Sequence, residues 1–225
     1  MTPALLEART LQKAFGRTQA LSNASLRVVP GEVVAVTGKS GSGKSTLLLC
    51  LAGVLRPEAG AVHYDGRPLQ DLSDTQRSRL RRREFGLVLQ FGQLVPELTA
   101  VQNVALPLLL ERHDRAASFT AARTWLAQLD ADGLADLLPG EMSGGEGQRV
   151  AIARALVSGP RVIFADEPTG ALDTVSGEAV LEVLVSTTRR TGASLVLVTH
   201  DNRVAAAADR EVVLTDGTTR GSDVA

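Results

Sequence analysis

Cysteine occurs once in this sequence, at Cys50. One cysteine excludes an intrachain disulfide and fits a reducing compartment. It stands in an apolar run behind a glycine-rich stretch, where a buried structural thiol is expected. A charge surplus is missing too, since the formal net charge is −1. No global field then draws the chain to nucleic acid or anionic lipid, although a local patch can still act. Long hydrophobic runs are also absent. The longest, near residues 104–110, is far short of the ~20 apolar residues that span a bilayer. Glu7 and Arg9 stand where a secretory signal needs its apolar centre. The expectation is a soluble, cytoplasmic chain that reaches a membrane only through a partner that spans it.

Glycine, by contrast, is concentrated where it matters. Gly38-Lys39-Ser40-Gly41-Ser42-Gly43-Lys44-Ser45 follows the apolar residues 33–36 and precedes Thr46 and the apolar residues 47–51. That order reads strand, turn, helix, and it matches the G-x-x-x-x-G-K-[ST] phosphate-binding loop. The glycines let consecutive N–H groups curl inward, and the helix start adds its positive dipole end. Lys44 is expected to neutralise the β- and γ-phosphates, and the Ser45 hydroxyl to ligate Mg²⁺.

The length of 225 residues suits one domain, or one domain with an inserted subdomain. Residues 5–13 and 21–29 alternate like strands around Gly16-Arg17, predicting an antiparallel pair; residues 62–66 read as a further strand and turn. Continuous apolar runs at 33–36, 86–89, 162–165, 195–198 and 212–214 suit a sheet buried on both faces. Helical stretches at 45–55, 143–157, 176–190 and 202–208 lie between them. Together they predict an α/β fold with a mostly parallel sheet. Residues from about 95 to 142 differ. Their helical periods at 99–110, 116–129 and 133–138, with no strand candidate, predict an all-helical insertion. About 1–94 and 143–225 would form the α/β core with its β-subdomain. Beyond Asp216-Gly217 only a short polar tail, and no regulatory domain, is expected.

Two further stretches carry chemistry. Residues 162–165 end in adjacent carboxylates, Asp166 and Glu167. In phosphate-loop enzymes a strand-terminal Asp holds Mg²⁺, and a carboxylate beside it can polarise the attacking water. Strand alternation would turn the two apart. Ser143-Gly144-Gly145-Glu146 opens a predicted helix with a good capping residue and bare backbone, a second place for an anion. One chain needs no second triphosphate site. This surface would instead cap a nucleotide held by another copy, in a symmetric pair.

In this order the motifs resemble the ATP-binding cassette (ABC) ATPases over nearly the full length. Ser143-Gly144-Gly145-Glu146 is similar to the family signature, Gln90 to its Q-loop glutamine, Gly170-Ala171-Leu172-Asp173 to its D-loop, and His200 to its switch histidine. The resemblance implies a P-loop NTPase, RecA-like core, an antiparallel β-subdomain and a helical subdomain. It implies an ATP- and Mg²⁺-dependent ATPase. Lys44, Gln90, Glu167 and His200 would serve catalysis, and Ser45, Gln90 and Asp166 the metal. Gly38 to Thr46, Ser143, Gly144, Gly145, Glu146 and Asp173 would contact ATP. Phe15 stands where the family usually has a tyrosine for adenine stacking; a core aromatic is the alternative. The stretches at 90–100 and 166–173 resemble the lipoprotein-release, macrolide-export and cell-division branch. That implies a second copy and a separate membrane permease as partners, with this chain peripheral on the inner face of the membrane.

Met142 and Gly147 depart from the branch pattern, and neither removes chemistry. Gly147 early in a helix costs about 1 kcal/mol against alanine. The arginines at 77, 79, 81, 82 and 83 suit lipid or permease contact, or merely a solvated helix. The apolar segment 94–110 suits a permease groove or internal packing. Three rivals to export are a signalling subunit acting through a membrane partner, a nucleic-acid-linked cassette and a non-hydrolysing clamp. One compact cassette without zinc cysteines argues against nucleic acid; Glu167 and His200 argue against the clamp.

Overall fold

The computed structural model describes residues 3–90, 93–170 and 172–220. Its first elements are β1 (Leu6–Phe15), β2 (Thr18–Val28), β3 (Val33–Thr37) and α1 (Lys44–Leu51). β4 (Ala59–Tyr64), β5 (Arg67–Pro68) and α2 (Asp74–Glu84) follow. β6 (Phe85–Val88) leads to α3 (Ala100–Leu110), α4 (Arg115–Gln128) and α5 (Gly144–Leu156). Then come β7 (Val162–Asp166), α6 (Thr174–Thr191), β8 (Ser194–Val198) and α7 (Asn202–Ala205). β9 (Arg210–Thr215) and β10 (Thr218–Arg220) complete the described elements. The chain divides into two compact units, one of residues up to Arg81 and from Gly192 onward, the other Arg82–Thr191.

In the first unit the strands run in the order β5, β4, β1, β2, β10, β9, β3, β8. β1 pairs antiparallel with β2 and with β4, as the alternation predicts. β3 lies parallel between β8 and β9. β3 and β8 are buried at every position, as expected for strands covered on both faces. α1 packs against β1, β2 and β8 through Leu47, Leu48 and Leu51. Cys50 sits on α1 with its thiol pushed up to about 11 by burial, which makes it an inert core group.

The polar tail expected after Asp216-Gly217 is instead a hairpin. Asp216 and Gly217 both take positive φ, the requirement of a type I′ turn. Thr218–Arg220 returns antiparallel on β9, and Thr218 also pairs parallel with Asn23 of β2. The Asp-Gly pair behind an apolar strand is the sequence signal for this turn.

In the second unit β6 and β7 pair in parallel, with Phe85 edge-on to Phe164 at 5.2 Å between ring centroids. Residues 95–142 hold α3, α4 and short 3-10 turns, without a strand among the described residues. α3, α4 and α5 pack on one another, and α5 packs on β6. Thr99 and Gln102 form a reciprocal cap that starts α3. The helical period expected at 133–138 yields only the 3-10 turn Asp132–Leu134. Pro139 disfavours helical backbone at Leu138, and so few residues cannot nucleate a helix alone.

The arginine-rich α2 is more internal than a solvated helix. Arg77 is buried and bonds Asp74. Arg81 donates to the Gly53 carbonyl at 2.9 Å. In the second unit Arg82 and Arg83 share Glu111. No helix among the described residues is long and apolar enough to cross a membrane.

Candidate functional site

The loop at 38–45 is shaped by what presses on it. Gly43, which precedes the first turn of α1, takes φ 100°. A Cβ there would stand 2.2 Å from the Ala20 carbonyl oxygen of β2, so only glycine fits. The hairpin turn supports the loop from another side. Gly217 donates to the Ser42 carbonyl at 3.1 Å and accepts from the Ser22 amide at 2.9 Å. Gly217 is thus a site-supporting residue that motif reading missed, with the Asp-Gly turn as its available signal.

Within the loop, Lys44 is buried and donates to the Gly38 and Lys39 carbonyls at 2.8 and 3.0 Å. The ammonium is therefore held at the loop's own rim, where the β- and γ-phosphates of a nucleotide would take it over. The Ser42 hydroxyl is buried without a hydrogen-bond partner among the described residues, an orphan a polar ligand can satisfy. Lys39, Ser40, Gly41 and Ser45 are exposed, and Gly38 and Thr46 half-buried. α1 has no side-chain cap, which leaves its first-turn amides for an anion.

His200 joins this group through strand register. β3 and β8 are parallel with Val36 opposite Val198. Two residues further on, Gly38 and His200 leave the same sheet end just past these neighbouring strands. The Thr199 amide bonds the Val36 carbonyl at 3.2 Å, which fixes that exit. His200 is exposed, and Asp201 behind it caps α7 through the Arg203 amide at 2.8 Å. Phe15, at the end of β1, is 51% exposed. That removes the core-aromatic alternative; the Lys13 ammonium stands over the ring, 5.5 Å from its centroid.

Register makes a second grouping in the other unit. β6 and β7 pair with Val88 opposite Ala165. Gln90 and Glu167 therefore leave the strand ends side by side. Asp166 is buried as the last residue of β7. Glu167 lies just past the strand with φ 47°. A positive φ is uncommon for a residue with a side chain, and here it turns the backbone out of the strand. It also changes the expected geometry, because this turn, not strand alternation, sets where Glu167 points. Phe91 and Gly92, which follow Gln90, lie outside the described residues, as does Ala171 between Gly170 and Asp173.

Ser143 is the cap of α5, as expected. Its hydroxyl donates to Glu146 Oε2 at 2.8 Å and accepts from the Glu146 amide at 3.3 Å. The Ser143 amide donates to the same carboxylate at 2.7 Å. These bonds hold the Glu146 carboxyl below the usual carboxylate range. Ser143 and Gly144 are exposed, Gly145 and Glu146 half-buried. Asp173 caps the start of α6 through the Ser176 amide at 3.0 Å, and that bond lowers its pKa. Arg149 of α5 donates to the Ser176 hydroxyl at 3.0 Å, which ties the two capped helix starts together. Gln148, also on α5, is 1% exposed, and its amide has no partner among the described residues.

A phosphate loop closed by a parallel strand and a helix, with strand-end Asp and Glu on a parallel pair, defines a P-loop nucleotide-hydrolysing protein. The family model for the ABC transporter matches residues 21–170. The chain belongs to the ABC transporter family, as an ATPase subunit. A lipoprotein-releasing system ATP-binding protein LolD from Syntrophotalea carbinolica is 44% identical over 222 residues, 97% of this chain and 98% of its own. The LolD of Bordetella pertussis is 44% identical over 216 residues, 94% of each chain. A solved dimer of the cassette MJ0796, in a post-hydrolysis state bound to ADP and Pi, matches with a TM-score of 0.91 at 36% identity, covering 96% of this chain and 97% of that one. The fold expected from the sequence, a P-loop α/β core with helical and antiparallel additions, is the fold found.

Proposed function

We propose that two copies of this chain close on two ATP·Mg²⁺ and use hydrolysis to drive a separate membrane permease that extracts or exports a lipophilic cargo. The observation that carries the reading is strand register. It groups His200 with the phosphate loop, and Gln90 with Asp166 and Glu167. The LolD relatives, called lipoprotein-releasing, support the cargo class. The dimeric state of MJ0796 supports the paired arrangement. The permease would hold the chain at the inner face of the membrane.

In this reading Lys44 and the loop amides from Gly38 to Thr46 hold the triphosphate, and Phe15 stacks on the base. Mg²⁺ takes few protein ligands and prefers oxygens. The Ser45 hydroxyl, the Asp166 carboxylate and the Gln90 amide oxygen fit that donor set. Bound there, Mg²⁺ would supply charge neutralisation to the phosphates. Glu167 polarises the attacking water, and His200 donates to the γ-phosphate and orients it. From the second copy, Ser143, Gly144, Gly145 and Glu146 cap the same phosphate, with Asp173 along the seam. The Ser143 hydroxyl reaches it by turning away from Glu146 Oε2.

Glu167→Gln tests this directly. The variant should keep ATP binding, lose hydrolysis and elute as a dimer with ATP·Mg²⁺ in size-exclusion chromatography. Elution as monomer only, or hydrolysis at the wild-type rate, would overturn the role.

A further inference from the structure

Near the end of α3 the second unit has a cavity of about 210 Å³ that the ATP chemistry does not use. Arg82, Arg83, Glu111, His113 and Ser158 line it, with Pro107 and Leu108 as an apolar wall. Both arginines meet Glu111 through Nε alone, Arg82 at 2.8 Å. Each guanidinium has five N–H donors, four of them on its terminal nitrogens. Those terminal nitrogens have no acceptor among the described residues, and both arginines line the cavity. Two guanidinium groups on one carboxylate also leave a positive charge uncompensated within the trio. The Glu111 side chain is only 9% exposed, so the guanidinium planes are anchored on a fixed carboxylate.

We propose that this cavity is a socket for a carboxylate side chain carried by a cytoplasmic segment of the membrane partner. The inference rests on the permease-driving function above and names the chemistry of one contact in it. Guanidinium forks match a carboxylate in two-point geometry. Glu111 stands in the socket, so a singly charged carboxylate is better tolerated than a doubly charged phosphate. The wall of Pro107 and Leu108, with Leu110 beside it 57% exposed, suits a polypeptide carrying apolar neighbours better than a lipid headgroup. Of the arginine-rich helix, only its last two arginines are then partner-facing.

The test uses the tagged chain purified in mild detergent from its own host's membranes. A benzophenone amino acid at Leu110 should crosslink a cytoplasmic segment of a multispanning protein, mapped by mass spectrometry to within a few residues of an Asp or Glu. The R82Q/R83Q/E111Q triple variant removes the arginines together with the carboxylate they neutralise. It should retain the membrane protein about ten-fold less well, the order expected for losing a charged interface contact. Basal ATPase and melting temperature should match the wild type. If the triple variant melts early, R83Q at the more exposed arginine must still lower retention. An Arg in place of the mapped acidic residue should abolish retention by the wild type and regain it with R82E/R83E. Crosslinks to phospholipid, a mapped segment without an acidic residue, or unchanged retention would overturn the socket and leave the transporter reading intact. A wild-type chain that retains no membrane protein would overturn that reading, and the socket with it.

Discussion

Gly43→Ala should damage the phosphate loop far more than Gly41→Ala, although both glycines lie in one motif at positive φ. Gly41 takes φ 78° and has nothing within 4 Å of an added Cβ. Its alanine variant bears left-handed strain of about 1–2 kcal/mol. The less flexible unfolded chain returns about 0.5–1 kcal/mol. The net loss is about 1 kcal/mol. Gly43 carries at least that strain at φ 100°, and its Cβ meets the Ala20 oxygen at 2.2 Å, where real contacts stay above 3.0 Å. Strand β2 or the loop must therefore give by about 0.8 Å. The opposing atom is backbone inside a paired strand, so no rotamer relieves it. Overpacking of this kind costs about 1–3 kcal/mol. Gly43→Ala should thus lose about 2 kcal/mol more than Gly41→Ala, a Tm gap of about 4–8 °C for a chain this size. Thermal melts without nucleotide measure the gap. Titration with a fluorescent ATP analogue should show weaker binding for Gly43→Ala at a temperature where both are folded. Equal melting of the two variants would refute the steric argument, because the close approaches to Ala20 and Leu21 exist at Gly43 and not at Gly41.

Gly147→Ala should stabilise the chain by about 1 kcal/mol with ATPase retained, since its Cβ meets nothing within 4 Å and α5 gains a better helix former; a lower Tm would show that the glycine serves a contact. Gln148→Met should raise Tm by several degrees, because it replaces a buried unpaired amide worth about 1–3 kcal/mol with an apolar group of similar volume. A fall would mean that the amide is hydrogen-bonded in solution. Asn103→Leu should lower Tm sharply. Asn103 is fully buried and bonds Val95 on both its amide and carbonyl, and Leu98 and Thr99 on their carbonyls. Limited proteolysis should then cut within residues 95–99, and an unchanged digestion pattern would count against this clamp.

The loop, its flanking elements and the Asp-Glu strand end were readable in the sequence because each obeys a local rule. Glycine answers a backbone demand at a fixed spacing, and an apolar run ending in carboxylates answers burial followed by exposure. What escaped reading is what depends on which segments meet. Nothing local pairs Arg82 and Arg83 with Glu111, which lies 29 and 28 residues further along. Nothing local places Gln90 beside Glu167, because that needs the register of β6 on β7. Gln148 reads as one more polar position on a helix, and only packing reveals its amide as buried. The hairpin at 216–217 is a different case: its turn chemistry was legible, and only the support it lends the loop required the fold.

Long-range contacts also bear on how the second unit works, because α5 makes one to a segment before it and one to a segment after it. Its start is the capped Ser143 end. Arg149, one turn in, reaches Ser176 beside the Asp173 cap. Arg154, further along, donates to the Gln93 carbonyl in the segment that follows Gln90, at 3.0 Å. A helix of this length moves as a rigid rod, so a shift that reorients Ser143 must act on both arginine contacts or break them. A phosphate docking at Ser143 would thereby be felt at the Asp173 turn and behind Gln90 without any change in the strands. The requirement is testable by its parts: of these two segments, Arg149→Ala, which also removes a bond to the Asp130 carbonyl, should loosen only the Asp173 turn, and Arg154→Ala only residues 93–95. Hydrogen exchange on residues 93–95 and 172–177 reads the two separately. If either substitution loosens both segments equally, α5 is not the rod that joins them.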